Sequence, residues 1–354
     1  MFRSVSLTIV FAWTLPLGAQ PTDALPGLSF AHHDWEIVCD NTRTCRAAGY
    51  STDGEELRVS VLLTRAAGPR TVITGQLLLG RYGDEDDALF STLPTKIALS
   101  LRIDGRFIGP VNVPQDYLRA DLPSGQVAAL LSTARSDATI EWSSGANTWR
   151  LSGRGAAAVL LKMDEFQGRV GTQGAVISKG PQEDVDVLPA LPAPVVGAAP
   201  LIEDRPGDAA LGADEALRSA LRSAFGESEE DRCEALDEVQ GSAGAVSIAR
   251  LSSSKLLASA VCWTGAYNDA SGFWVVDDQA PFRAVLITDS GSDASGGEIF
   301  SNQKGRGLGD CWSSRAFTWD GTEFRETSAS TTGMCRLMAP GGAWSLPRIV
   351  TNPR

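Results

Sequence analysis

The chain has 354 residues, with 31 Lys+Arg against 43 Asp+Glu, a formal net charge of −12 and 43% hydrophobic residues. That length allows roughly two domains of about 150 residues, and the apolar content excludes wholesale disorder. The acidic excess gives no electrostatic reason to hold DNA, RNA or an anionic membrane. Only two histidines are present, the neighbours His32 and His33, which removes multi-histidine metal sites and Ser-His-Asp chemistry unless this pair serves.

Residues 1–19 have the layout of a secretory signal peptide. Arg3 supplies the positive start, Val5 to Leu17 the apolar stretch, and Leu17-Gly18-Ala19 a small-residue exit. The apolar run is too short to span about 30 Å of hydrocarbon, and no cysteine follows the exit to carry a lipid. No later segment is long and apolar enough to span, so no transmembrane segment is expected once the signal is removed. An even set of six cysteines in an exported chain implies disulfides. Six cysteines allow 15 connectivities; proximity in sequence favours Cys39–Cys45, Cys233–Cys262 and Cys311–Cys335. The last two close loops worth about 3 kcal/mol each. No pair has the C-x2-C spacing that zinc sites favour, so no metal is expected.

Residues 28–180 carry apolar segments that read as strands at 35–38, 57–64, 71–79, 96–103 and 149–151, with a hairpin turn at Asp104-Gly105. Helices are expected over about 125–134 and 156–166. Residues 181–213 read as a linker, because Pro181, Pro189, Pro192, Pro194, Pro200 and Pro206 recur among acidic residues and disfavour helix and central strand alike. An amphipathic helix is expected from Asp214 to Phe225, ended by Gly226, and a short one over 229–239. Strands return at 245–251, 255–263, 273–277, 283–289, 298–301, 315–319, 323–327 and 334–337, with a hairpin at Asp320-Gly321. The reading is mainly β with some α. It comprises a β-sandwich-like N-terminal domain (28–180), a Pro-rich acidic linker (181–213), and a helix followed by a small antiparallel β domain (214–354).

The stretch Asp34-Trp35-Glu36-Ile37-Val38-Cys39-Asp40-Asn41 followed by Cys45 resembles the opening of an exported bacterial family, domain of unknown function 1176. So do Met163 to Arg169, Trp263 to Asn268, and Lys304-Gly305-Arg306-Gly307-Leu308-Gly309-Asp310-Cys311. The N-terminal half is also distantly similar to the invasion-associated locus B family. The resemblance implies a Gram-negative envelope or periplasmic location; it implies no activity.

The Gly-rich stretch 305–309 lacks the P-loop pattern and leads into strand sequence, so no nucleotide or other cofactor is expected. It reads as a turn pinned by Cys311, or as exposed amides beside Lys304 and Arg306 that would take a carboxylate or phosphate. Lys304, Arg306, Asp310, Trp263 and Tyr267 are therefore the candidate ligand-binding residues. Residues 289–296 have oxygen ligands at alternating positions, but their mismatch to a calcium loop favours a solvated hairpin. Adjacent acids such as Asp277 and Asp278 point to opposite faces of a strand and cannot share one site; the run Asp84 to Asp87 reads as a solvated loop. Of the C-terminal tryptophans Trp263, Trp274, Trp312, Trp319 and Trp344, some read as core, since Trp263 and Trp312 directly follow cysteines, with glycan stacking by exposed ones as the alternative. With no nucleophile, base and oxyanion set assembled, no catalytic residue is named. The expected role is a noncatalytic envelope binding or interaction protein whose partner is an envelope protein or a glycan. The alternative is an envelope-directed hydrolase whose carboxylates meet only in the fold.

The charge is unevenly placed. Residues 181–239 hold 15 acids and 4 bases, whereas 28–180 hold 17 and 16, and 240–354 hold 10 of each. Both β-rich regions are near neutral, so anionic ligands remain admissible there, and the acidity argues for a solvated, self-repelling spacer.

Overall fold

A computed structural model describes residues 27–225, 233–237 and 245–353. The proposed signal segment lies outside these residues, as do Gly226 and most of the helix expected over 229–239, of which a 3-10 turn at Glu234–Leu236 is described. No described helix is long and apolar enough to cross a membrane.

The chain is mainly β, with several antiparallel sheets. Strands β1 (Leu28–His32), β2 (Trp35–Cys39), β3 (Cys45–Tyr50), β4 (Val59–Arg65) and β5 (Thr74–Leu79) form a meander. Helix α1 (Asp84–Ser91) follows, then β6 (Lys96–Ile103), β7 (Arg106–Pro114), β8 (Arg119–Asp121), α2 (Ser124–Thr133), β9 (Ile140–Ser144), β10 (Asn147–Leu151) and α3 (Ala156–Phe166). Strand β8 completes the first sheet beside β5, and β10-β9-β6-β7 make a second. Alternation along each strand sends Ile37, Val61 and Leu77 from the first sheet, and Leu99, Val113 and Trp142 from the second, into one core closed by α2 and α3. The hairpin at Asp104-Gly105 has positive φ at both residues, 49° and 75°, as a two-residue turn between twisted strands requires. The acids 84–87 are not a loop. They form the first turn of α1, where negative charge complements the helix dipole.

Beyond the Pro-rich stretch come β11 (Val195–Val196) and α4 (Glu215–Phe225), the latter capped by the Asp214 carboxylate on the amides of Ala216 and Leu217. Strands β12 (Ser247–Arg250), β13 (Lys255–Thr264), β14 (Asp269–Asp277) and β15 (Ala284–Gly291) form one sheet. Another comprises β16 (Asp293–Ser295), β17 (Glu298–Lys304), β18 (Trp312–Trp319), β19 (Phe324–Thr331) and β20 (Leu346–Ile349). Leu257, Phe273 and Val275 meet Ile299, Phe317 and Trp319 between these sheets. The opposite face of β13–β14 is covered by Leu217 and Leu221 of α4. Residues 289–296, expected as a hairpin loop, run on as strand into β16 before turning at Gly296-Gly297.

Two features were not legible beforehand. The proline-rich stretch, expected as a solvated spacer, is laid down as a strap. Leu191 N–H donates to Thr42 O, Arg43 Nη1 to Pro189 O, and Ala199 N–H to Trp319 O, while Val195–Val196 pair in parallel with β21 (Asn352–Pro353). Proline removes a donor but leaves carbonyls able to accept, and acids of the strap find arginines, as in the buried Asp208–Arg250 pair at 2.6 Å. The second feature is the return of the chain's end. Met338, Ala343, Trp344 and Leu346 cover the outer face of the first sheet, over Val38, Ala48, Tyr50 and Leu62. That sheet is consequently buried on both faces.

Candidate functional site

The glycine-rich stretch leaves β17 at Lys304 and turns back at once. Gly305 N–H donates to Cys311 O and Gly309 N–H to Arg306 O, and the Cys311–Cys335 disulfide ties the turn to the returning tail. The other two disulfides are Cys39–Cys45 and Cys233–Cys262. Two of the turn's three glycine amides are therefore spent inside it, and of Gly305, Gly307 and Gly309 only Gly309 takes positive φ, at 70°. Arg306 donates from Nε and Nη2 to both oxygens of Asp310, at 2.8 and 2.6 Å. Asp310 is fully buried and also accepts the Leu337 amide at 2.7 Å. Burial pushes its pKa up, but the Arg306 and Leu337 hydrogen bonds outweigh that and hold the carboxyl below its ordinary range.

The remaining candidates gather round this turn with one exception. Lys304 Nζ lies 5.4 Å from the Trp312 ring centroid, and the Asn268 side chain brackets the Lys304 backbone at 2.9 Å on each side. The Tyr267 ring packs beside Gly307 and is 46% exposed; Tyr82 Oη donates to Leu308 O. Trp263 stands apart, 47% exposed with its ring by Gly265, whereas Trp274, Trp319 and Trp344 are buried core.

Arg306 also lines a cleft of about 610 Å³ between the loop 51–58, the start of α1 and the tail residues 335–338. Three arginines meet there. Arg58 pairs with Asp86, Arg306 with Asp310, and Arg336 with Asp34 at 2.9 Å. Arg336 Nη1 is also 2.7 Å from Asp53, without hydrogen-bond alignment. With these pairs set aside, Asp53 among them, the rim carries Glu55, Glu56 and Glu85. The cleft is acidic, so the preference for a carboxylate or phosphate at Arg306 does not survive: its guanidinium charge is already met by a buried carboxylate. Behind the tail wall, Glu36 accepts from Tyr50 Oη at 2.6 Å and from the Met334 amide at 2.7 Å. Burial raises its pKa, against the lowering pull of those bonds and of Arg336. Gly333, at φ 94°, passes so close that a Cβ there would lie 2.2 Å from Tyr50 Oη.

A family model described as a protein of unknown function, DUF1176, matches residues 29–351. The chain belongs to that family. It is similar to the uncharacterized protein YpfG of Escherichia coli (strain K12), 26% identical over 337 residues, which cover 89% of this chain and 90% of that protein. No solved structure matches the chain.

The stretch Met163 to Arg169 acts in the architecture. Asp164, fully buried, accepts the amides of Val176, Ile177 and Ser178 at 2.8, 2.7 and 3.3 Å. Gln167 Nε2 donates to the carbonyls of Arg43 and Arg65, and Arg169 Nη2 to Gly68 O and Thr71 Oγ1. Among the described residues, Asp310, Cys311 and Cys335 cluster as a metal-binding set would. The two sulfurs are bonded to each other and the carboxylate to Arg306, so the donors are spent. Asp277 and Asp278 face different partners, Lys255 with Arg283 and Arg250 with Arg205. Sequence reasoning missed Arg58, Arg336, Asp34 and Glu36. The last two alternate with inward Trp35 and Ile37, which was the available signal that a second surface covers that face.

Proposed function

We propose that the protein is an exported, noncatalytic binding protein of the cell envelope that receives an amine-bearing, cationic segment of an envelope partner in the Arg306 cleft. The observation that carries this is the charge of the cleft: each arginine is held by a carboxylate, Arg336 by two, and three further carboxylates, Glu55, Glu56 and Glu85, line it. Such a rim attracts a cation and repels an anion. The signal layout at 1–19 and the three disulfides support export, and the family resemblance supports a periplasmic setting. A hydrolase with carboxylates assembled by the fold is less well supported. Glu36, whose pKa burial raises, and Asp310, one of several carboxyls held low, sit behind the cleft wall and are spent on Tyr50, Arg306 and tail amides.

Calorimetric titration with trilysine and with triglutamate tests the reading. Trilysine should bind and triglutamate should not, and Glu55→Gln/Glu56→Gln/Glu85→Gln should weaken trilysine about tenfold while lowering the melting temperature by no more than about 4 °C, the cost of one charge in the first turn of α1. Binding of triglutamate, or indifference of the triple variant, overturns it.

A further inference from the structure

A second concavity, of about 780 Å³, lies on the N-terminal sandwich between the β4–β5 connection, α2 and residues 173–179. Its chemistry is opposite to that of the Arg306 cleft. Val127, Ala128 and Leu131 of α2 recur at helical spacing and face Val72, Ile73 and Val176. Val72 is 78% exposed, so apolar surface is left open. No Asp or Glu lines the groove, whereas Arg65, Arg135 and Lys179 do.

These cations have different standing. Arg65 is buried and donates to Thr71 O and Gly174 O, tying two rims of the groove together. Its charge belongs to a balanced group with Arg169, Asp164 and Asp184, whose carboxylates lie behind the wall and accept the amides of Val176 to Ser178 and of Gly174. Arg135 donates to Ile177 O, a neutral acceptor. Among the described residues neither Arg135 nor Lys179 has a carboxylate within ion-pair distance. Two exposed positive charges without a carboxylate partner therefore line an apolar groove whose volume falls in the range of small-molecule sites, about 300–1,000 Å³.

From this juxtaposition we infer that the groove binds a single-chain amphipathic carboxylate, a free fatty acid, with its chain along α2 and its carboxylate at Arg135 and Lys179. The apolar walls take the chain by removing it from water, and the cations select the sign of the head group. This site is independent of the Arg306 cleft.

The test is calorimetric titration of the oxidised protein with decanoate, dodecanoate and dodecyltrimethylammonium, each below its micellar concentration, with sedimentation run in parallel. Dodecanoate should bind, and each methylene from decanoate onward should tighten binding about three- to fourfold. The cationic amphiphile should bind at least tenfold more weakly. Arg135→Ala/Lys179→Ala should weaken dodecanoate about tenfold, and Ala128→Glu, on the exposed helix face, should abolish binding; Glu323→Gln, an exposed position that lines neither concavity, should leave dodecanoate binding unchanged. Lys179→Glu alone, at an exposed position, serves if the double variant melts early. Equal binding of the cationic amphiphile, an unaffected double variant, or no binding of dodecanoate overturns the inference. Self-association lost in Ala128→Glu would instead assign the groove to a second copy of the chain.

Discussion

Replacing Asp164 by Asn exchanges one heavy atom and should destabilise the protein measurably. The carboxylate is fully buried and serves three backbone amides, one on Oδ1 and two on Oδ2. An Asn offers one oxygen, so in either orientation its NH2 confronts at least one amide N–H. Stranding a buried donor costs about 1–3 kcal/mol, and the surviving bonds lose their charge assistance. The combined effect is about 3 kcal/mol, or a fall in melting temperature of about 6–12 °C for a domain of this size. The neighbour Glu165 pairs with Lys162 on the surface, so Glu165→Gln should stay within about 0.5 kcal/mol. Thermal melts of the two oxidised variants against wild type measure the contrast. If Asp164→Asn melts within 2 °C of wild type, the carboxylate does not hold residues 176–178, and the wall of the α2 groove loses its support.

Removing Trp344, which caps the outer face of the first sheet and donates to Ser60 Oγ at 2.7 Å, should cost about 3–5 kcal/mol as Trp344→Ala. Hydrogen exchange should then show loss of protection across 333–350; retained protection would mean that the tail is held elsewhere. Glu36 ionises near 4.5 in the unfolded chain and higher in the folded one. Its contribution is therefore complete below that value and lost as pH rises through the raised folded pKa. Urea midpoints between pH 4 and 7 should show this declining step in wild type and not in Glu36→Gln; the same step in both would remove Glu36 as its source.

Local physics made much of the fold readable. Helix α3 ends where Gly168 takes positive φ, α4 begins at the Asp214 cap, and both Asp-Gly hairpins follow from the turn's need for positive φ. Proximity placed the disulfides because the two longer ones close short excursions between neighbouring elements. The candidate site was only half legible. Lys304, Arg306, Asp310 and Tyr267 are near in sequence or share one loop cluster, but Arg58, Asp86 and Arg336 reach the cleft from distant segments.

What the sequence determined by itself was periodicity and punctuation: a mainly β chain, its caps and turns, and the confinement of its net charge to residues 181–239. Those are properties of neighbours along the chain. Tertiary structure decided which charges remain free. Arg306 and Lys304 looked alike as cations in an open glycine loop, yet one is spent on a buried carboxylate and the other lies over Trp312. Arg135 and Lys179, unremarked in the sequence, are left without a carboxylate partner among the described residues: both are exposed beside a groove that no Asp or Glu lines, and Arg135 is met by the Ile177 carbonyl. Likewise the acids of the strap, read as mutual repulsion, are quenched where the fold brings Arg169 and Arg250 beside them. A charge's effect depends on what lies within a few ångströms of it, and that neighbourhood is set by contacts between residues far apart in the chain.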